Sequence, residues 1–165
     1  MRHEAIGKDL FITNRKRLVK LLKPGSVAVF NSNDIMPTNA DGTMGFRQNS
    51  DLYYLSGIHQ EESILVICPD FPDKKFREVL FLKEPNELME KWEGHKLTKK
   101  EATELSGVET VMWLSGFEKM LHHMLTIGGA EQVYLNTNEH YRAEEVVQTR
   151  DARFIEWCQK IYPLH

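Results

Sequence analysis

Three adjoining stretches decide the fold class: Ser63-Ile64-Leu65-Val66-Ile67-Cys68, Pro69-Asp70-Phe71-Pro72-Asp73, and Glu78-Val79-Leu80-Phe81-Leu82. The first and last are short apolar runs rich in β-branched and aromatic side chains, which suit a pleated, buried strand. The middle one carries two prolines and two aspartates, residues that fix or tolerate turn geometry. Together they read as a β-hairpin.

Towards the amino terminus, Ser26-Val27-Ala28-Val29-Phe30 lies between Pro24-Gly25 and Asn31-Ser32-Asn33-Asp34 and reads as a further buried strand. Residues 9–22 place Leu10, Phe11, Leu18, Leu21 and Leu22 among lysines and arginines at roughly helical spacing, which predicts an amphipathic helix stopped by Pro24-Gly25. Beyond the strand at 26–30 the chain is polar to about residue 48, and it reads as a long loop without structure of its own. Such loops are uncommon in compact domains unless they serve a function or pack against something else.

Towards the carboxyl terminus, residues 86–93 and 98–105 read as helices, with Thr98 and Glu101 spaced as a capping box and Gly107 as the stop. Residues 108–113 suit a short strand. Residues 115–127 carry apolar side chains at 117, 120, 121, 124 and 125, the stripe of a helix closed by Gly128-Gly129. Gln132-Val133-Tyr134-Leu135 reads as a last strand, and residues 139–161 as helix interrupted near 149–153. Strands and helices interleave, which predicts an α/β chain: a single domain, one mixed β-sheet flanked by helices. The 165 residues fit one domain, and no internal repeat divides them.

Charge narrows the partners. Lys and Arg total 21 against 24 Asp and Glu, a formal net charge of -3, so no basic excess exists to neutralise a phosphate backbone. The one basic cluster, Asn14-Arg15-Lys16-Arg17, reads as the solvated face of the first helix. Cys68 and Cys158 stand far apart without a CxxC, as in a reducing compartment. The opening residues lack a secretory pattern, and no run reaches the roughly 18 apolar residues of a membrane span. The expectation is a cytoplasmic protein with no nucleic acid and no membrane as partner.

Catalytic chemistry leaves no signature in this stretch. His122-His123 point about 100° apart on a helix and do not converge on one ion, and His59, His95 and His140 are isolated. No GxSxG elbow is present, and neither cysteine has a neighbour that would activate it. Gly42 and Gly45, or Gly128 and Gly129, lack the context of a phosphate loop. The expectation is no catalytic residue, no metal ligand and no cofactor within the chain.

Polar density peaks instead in Phe46-Arg47-Gln48-Asn49-Ser50-Asp51-Leu52-Tyr53-Tyr54-Leu55-Ser56-Gly57. Asn49, Ser50 and Asp51 can accept backbone N–H groups and start a turn or short helix, Tyr53, Tyr54 and Leu55 should bury, and Arg47 could pair with an internal carboxylate. The segment is either a capped turn that pins the long loop to the core or a direct chemical element.

This segment resembles the hallmark of the amino-terminal domain of Xaa-Pro aminopeptidases and their creatinase/prolidase relatives. Leu21-Leu22-Lys23-Pro24-Gly25-Ser26, the strand at 79–81 and Glu90-Lys91-Trp92-Glu93-Gly94-His95-Lys96-Leu97 follow in the family's order. Gly45-Phe46 departs from the aromatic-rich approach to the arginine, and Glu93 fills the variable position of Trp-x-Gly. The resemblance implies a two-domain parent. Its carboxy-terminal pita-bread domain would hold a pair of divalent metals, usually manganese, on two Asp, one His and two Glu, and cleave the bond before a penultimate proline. None of those ligands maps onto this chain, so residues 1–165 are expected to be the non-catalytic amino-terminal domain, ending before the catalytic domain begins.

The same resemblance implies partners: the chain's own catalytic domain, neighbouring subunits in a dimer or tetramer, and a peptide with penultimate proline. Trp92 and Asp41 match positions that lend a residue to the active-site mouth of a neighbouring subunit. Two other readings stay open, the same domain of a prolidase or creatinase-like enzyme, and a free-standing interaction module.

Overall fold

The computed structural model describes residues 6–86, 94–137 and 148–164. Helix α1 (Lys8–Val19) precedes strand β1 (Ser26–Asn31), the short helix α2 (Ser50–Ser56), strand β2 (Ile64–Ile67) and strand β3 (Glu78–Leu82). Helix α3 (Lys99–Ser106), strand β4 (Thr110–Trp113), helix α4 (Phe117–Thr126), strand β5 (Gln132–Leu135) and helix α5 (Arg150–Ile161) complete the order. The strands form one mixed sheet ordered β4-β3-β2-β1-β5. β2 and β3 make the hairpin anticipated from the sequence, with Leu65 opposite Leu80. β1 lies antiparallel to β2, while β5 joins β1 and β4 joins β3 in parallel.

Alternation along the central strands sends side chains into two cores. Val27, Val29, Ile64, Val66, Val79 and Phe81 meet Phe117, Leu121 and Met124 of α4, with Phe154 and Trp157 of α5 packed alongside. Leu65, Ile67, Leu80 and Leu82 meet Leu52 and Leu55 of α2 and Ala102 of α3 on the other face. The sheet therefore sits between two helical layers, as the interleaved pattern requires.

Local signals explain the ends of the elements. Thr98 Oγ1 accepts from the Glu101 N–H, and Glu101 Oε2 accepts from the Thr98 N–H, the reciprocal capping box read from the spacing. Gly57 and Gly107 close α2 and α3 in the left-handed region. The segment 115–127 starts as a 3-10 turn, Leu114–Gly116, before α4. Residues 87–93 and 138–147 lie outside the described residues, and with them most of the helix expected at 86–93 and the first part of the helix expected from 139. No helix among the described residues is long and apolar enough to cross a membrane.

Four expectations are corrected. The 14–17 cluster is not a solvated face: Arg15 is 1% exposed and Asn14 is buried, whereas Lys16 and Arg17 face solvent. Leu10 is exposed in the first turn of α1, and Leu21 is 79% exposed because α1 ends at Val19. Tyr53 and Tyr54 are also exposed, since successive helical residues diverge by about 100° and Leu52 and Leu55 take the core side. The long loop has structure of its own, a small hairpin described next.

Candidate functional site

The hairpin spans residues 36–44. Met44 N donates to Met36 O at 2.9 Å, Thr38 N to Gly42 O at 2.9 Å and Gly42 N to Asn39 O at 2.9 Å, with a bridge between Pro37 and Thr43. Asn39-Ala40-Asp41-Gly42 is the turn, and Ala40 takes a φ of 50° to make it. Asp41 therefore stands exposed at the tip, and Ile35, Met36 and Met44 are exposed below it, Met44 by 58%.

The base of this hairpin is fixed from two sides. On the α5 side, Asn31 Nδ2 donates to Asp151 Oδ1 at 2.9 Å, Arg150 donates to Ser32 Oγ at 3.1 Å, and Arg153 reaches Asp34 at 2.9 Å. Burial pushes the Asp151 carboxyl up and the Arg150 guanidinium down from their ordinary values. On the other side lies a short ledge, residues 58–63. Ser32 N donates to Ser63 O at 2.9 Å, and Ser63 N donates to Ser32 Oγ at 3.1 Å.

Gln48 completes that anchorage. Its Nε2 donates to the carbonyls of Ile58 and Gln60 at 3.2 and 2.8 Å, and its Oε1 accepts from Asn33 N at 3.3 Å and Asn49 N at 2.8 Å. Its neighbours stand out in the sequence, and Gln48 does not. Nothing local distinguishes a glutamine that uses both its donors and both its lone pairs from one in solvent.

The neighbours divide by role. Asn49 caps α2, its Oδ1 accepting from Asp51 N and Leu52 N at 2.9 and 3.2 Å. Ser50 opens the helix in solvent, and Asp51 accepts from Asn136 Nδ2 at 3.0 Å, tying α2 to the end of β5. Arg47 is exposed, and the internal ion pair expected of it is made by Arg15 instead. Arg47, Asn49, Asp51, Asn136, Thr149 and Asp151 face a polar cleft of about 670 Å³ beyond the carboxyl ends of β1 and β5.

Trp92 lies outside the described residues, but the stretch just after it is tightly held. Gly94 takes a φ of 81°, and His95 Nε2 lies 3.0 Å from Glu101 Oε1. Buried Lys96 pairs with Glu61 on the ledge, and Leu97 N donates to Gln60 Oε1 at 2.8 Å. Burial acts to raise the Glu61 carboxyl, but the Lys96 hydrogen bond and charge, a backbone hydrogen bond and the Lys83 charge together hold the group below its ordinary value.

Catalytic groupings do not assemble among the described residues. No cluster of three or more His, Cys, Asp or Glu could hold a metal ion. His122 and His123 are exposed on α4, His122 Nδ1 standing 3.4 Å from the Tyr162 hydroxyl and His123 against Phe71. His59 lies between Phe46 and Tyr53, and His140 falls outside the described residues. Burial pushes both cysteine thiols up to about 11, which leaves them inert.

Comparison with known proteins gives concordant matches. The family described as aminopeptidase P, N-terminal domain, matches residues 11–134. The Xaa-Pro aminopeptidase of Escherichia coli is 29% identical over 144 residues, 87% of this chain and 32% of the relative. Xaa-Pro aminopeptidase 3 of Dictyostelium discoideum is 33% identical over 84 residues, 51% of this chain and 16% of the relative. Among solved structures, one assigned as an aminopeptidase P from Bacillus anthracis superposes with a TM-score of 0.81 at 23% identity, over 96% of this chain and 37% of that one, a likeness of fold. The low-pH form of E. coli aminopeptidase P superposes at 0.70 with 28% identity, over 84% of this chain and 31% of that one. The chain thus spans at most about a third of the length of the relatives it matches.

Proposed function

The chain belongs to the aminopeptidase P N-terminal domain family, and from that premise we propose that it is the non-catalytic amino-terminal domain of a cytoplasmic Xaa-Pro aminopeptidase. It serves assembly into a dimer or tetramer and shapes the entrance of a neighbouring subunit's active site. The parent removes the residue before a penultimate proline, using a manganese pair held in its catalytic domain. One observation carries the supporting role: Asp41 stands at the tip of an exposed hairpin whose base is pinned to α5 and to the ledge. A pinned base with a projecting polar tip suits a contact made outside its own domain. Trp92 supplies the second contact, an aromatic face able to stack on a proline ring.

The test uses the complete protein with its downstream catalytic domain, Mn(II) and short Xaa-Pro peptides. Asp41→Asn and Trp92→Ala should each raise KM about tenfold with little change in kcat. Mixing subunits that lack Trp92 with subunits inactivated in the catalytic domain should restore part of the activity. Wild-type kinetics in both variants, or a fully active monomer, refutes the reading.

A further inference from the structure

Two separate parts of the chain converge on the ledge, and they converge on one residue. The hairpin side arrives through Gln48, whose Nε2 donates to the Gln60 carbonyl at 2.8 Å. The stretch 94–97 arrives through Leu97, whose N–H donates to the Gln60 side-chain Oε1 at 2.8 Å. Ser63 Oγ donates to the same Gln60 carbonyl at 2.9 Å, and Ser63 itself binds Ser32 at the entry to the hairpin. The backbone of Gln60 thus serves one segment and its side chain the other. Gln60 is 5% exposed, so water competes poorly for either bond.

The side chain is held at a cost. Gln60 Nε2 is buried and has no hydrogen-bond partner among the described residues. An unpaired buried N–H is unfavourable, and an apolar side chain of similar size would avoid it. What glutamine supplies and methionine does not is the acceptor for Leu97 N–H.

We propose that Gln60 is a positioning residue that couples the Asp41 hairpin to the stretch 94–97, so that the two segments keep a fixed separation and loosen together. For its functional meaning the inference rests on the reading above: two contributions to one active-site mouth arrive in register only if their bases are fixed to a common support. Its structural content stands apart from that reading.

Hydrogen exchange on the 165-residue chain tests the coupling. Gln60→Met should speed exchange about tenfold or more both at Thr38, Gly42 and Met44 and at Leu97, with β2 and β3 amides unchanged. Gln60→Glu keeps the acceptor and should return both segments to within about twofold of wild type. The double variant Glu61→Gln/Lys96→Met should loosen 94–97 alone, and it keeps the comparison informative if Gln60→Met does not fold. Loosening of only one segment in Gln60→Met, failure of rescue by Gln60→Glu, or loosening of both segments in the double variant overturns the proposal.

In the complete protein, Gln60→Met should raise KM about tenfold and leave kcat within about twofold. Raised KM in Asp41→Asn and Trp92→Ala beside a wild-type KM in Gln60→Met overturns the coupling alone. Wild-type kinetics in all three overturn the reading of the parent, and exchange then decides the coupling.

Discussion

Arg15 on α1 and Glu78 at the start of β3 meet at 2.8 Å, with the arginine side chain 1% exposed. The same guanidinium donates from one nitrogen to Leu55 O at 2.8 Å and Ser106 O at 2.9 Å. Those carbonyls belong to the last turns of α2 and α3, where intrahelical partners run out. One cation thus closes two helices and neutralises a strand end, with its charge at the favourable pole of both helix dipoles.

Arg15→Met should therefore cost about 3–5 kcal/mol, because it strands Glu78 and two buried carbonyls together. Arg15→Lys should recover less than half, since an ammonium lacks the planar fork that reaches three acceptors. Urea unfolding followed by circular dichroism measures both, and a loss below about 1 kcal/mol for Arg15→Met contradicts the assignment.

Buried Glu61 and half-buried Asp151 should respond to acid in opposite senses. Glu61 is held below its ordinary value, so its stabilising contribution is present above the ordinary glutamate range and lost as pH falls through the depressed folded-state value. The stability gap between wild type and Glu61→Gln should close on acidification below about pH 5. Asp151 is raised by burial, so its charged form opposes folding at neutral pH and that cost fades as pH falls through the raised value. Asp151→Asn should stabilise the chain at pH 7 and lose its advantage in acid; a neutral-pH loss contradicts this.

Two glycines with similar φ should differ in tolerance. At Gly57, φ 70°, an added Cβ would lie 2.3 Å from the Phe11 ring, whereas at Gly94, φ 81°, nothing lies within 4 Å. Gly57→Ala should cost about 3 kcal/mol or more, combining backbone strain and overpacking, and Gly94→Ala only about 1 kcal/mol. Thermal denaturation of the two variants makes the comparison; equal losses would sink it.

The thiols should be silent in the native state. With both pushed up to about 11 and buried, Cys68 and Cys158 should react with an aromatic disulfide reagent at least about a hundredfold more slowly than in denaturant. Rapid native labelling of either one would show that its segment opens.

What could be read in advance was whatever depends on near neighbours. The Thr98–Glu101 box and the Asn49 cap follow from residues within three positions of each other, and the β2–β3 hairpin from two apolar runs flanking a stretch of turn residues. Arg15 could not be read, because its partners lie 40, 63 and 91 positions away and its local context is only a run of charge. Gln60 is opaque because Leu97 lies 37 positions away, and Gln48, whose partners lie 1 to 15 positions away, because its context does not differ from that of a glutamine in solvent.

The hairpin at 36–44 is a different kind of miss. Asn39-Ala40-Asp41-Gly42 carries turn chemistry in plain view, yet its arms lack the alternating apolar pattern that announces strands. The projection of Asp41 rests on backbone bonds that composition does not encode. Recognition by motif places Asp41 and Trp92 as candidates; backbone bonds within 36–44 set the geometry of Asp41, and Trp92 lies outside the described residues.

The pairing of β1 with β5 sets a timing problem for the growing chain. Val27 aligns with Val133, more than a hundred residues downstream, so one flank of β1 waits for its partner while that much polypeptide is made. At roughly 5–20 residues per second, the flank stays open for about 5–20 s on the ribosome. During that interval Ser26–Asn31 presents unpaired amides and apolar side chains. Chaperone demand at birth, more than stability once folded, is where this topology leaves its mark.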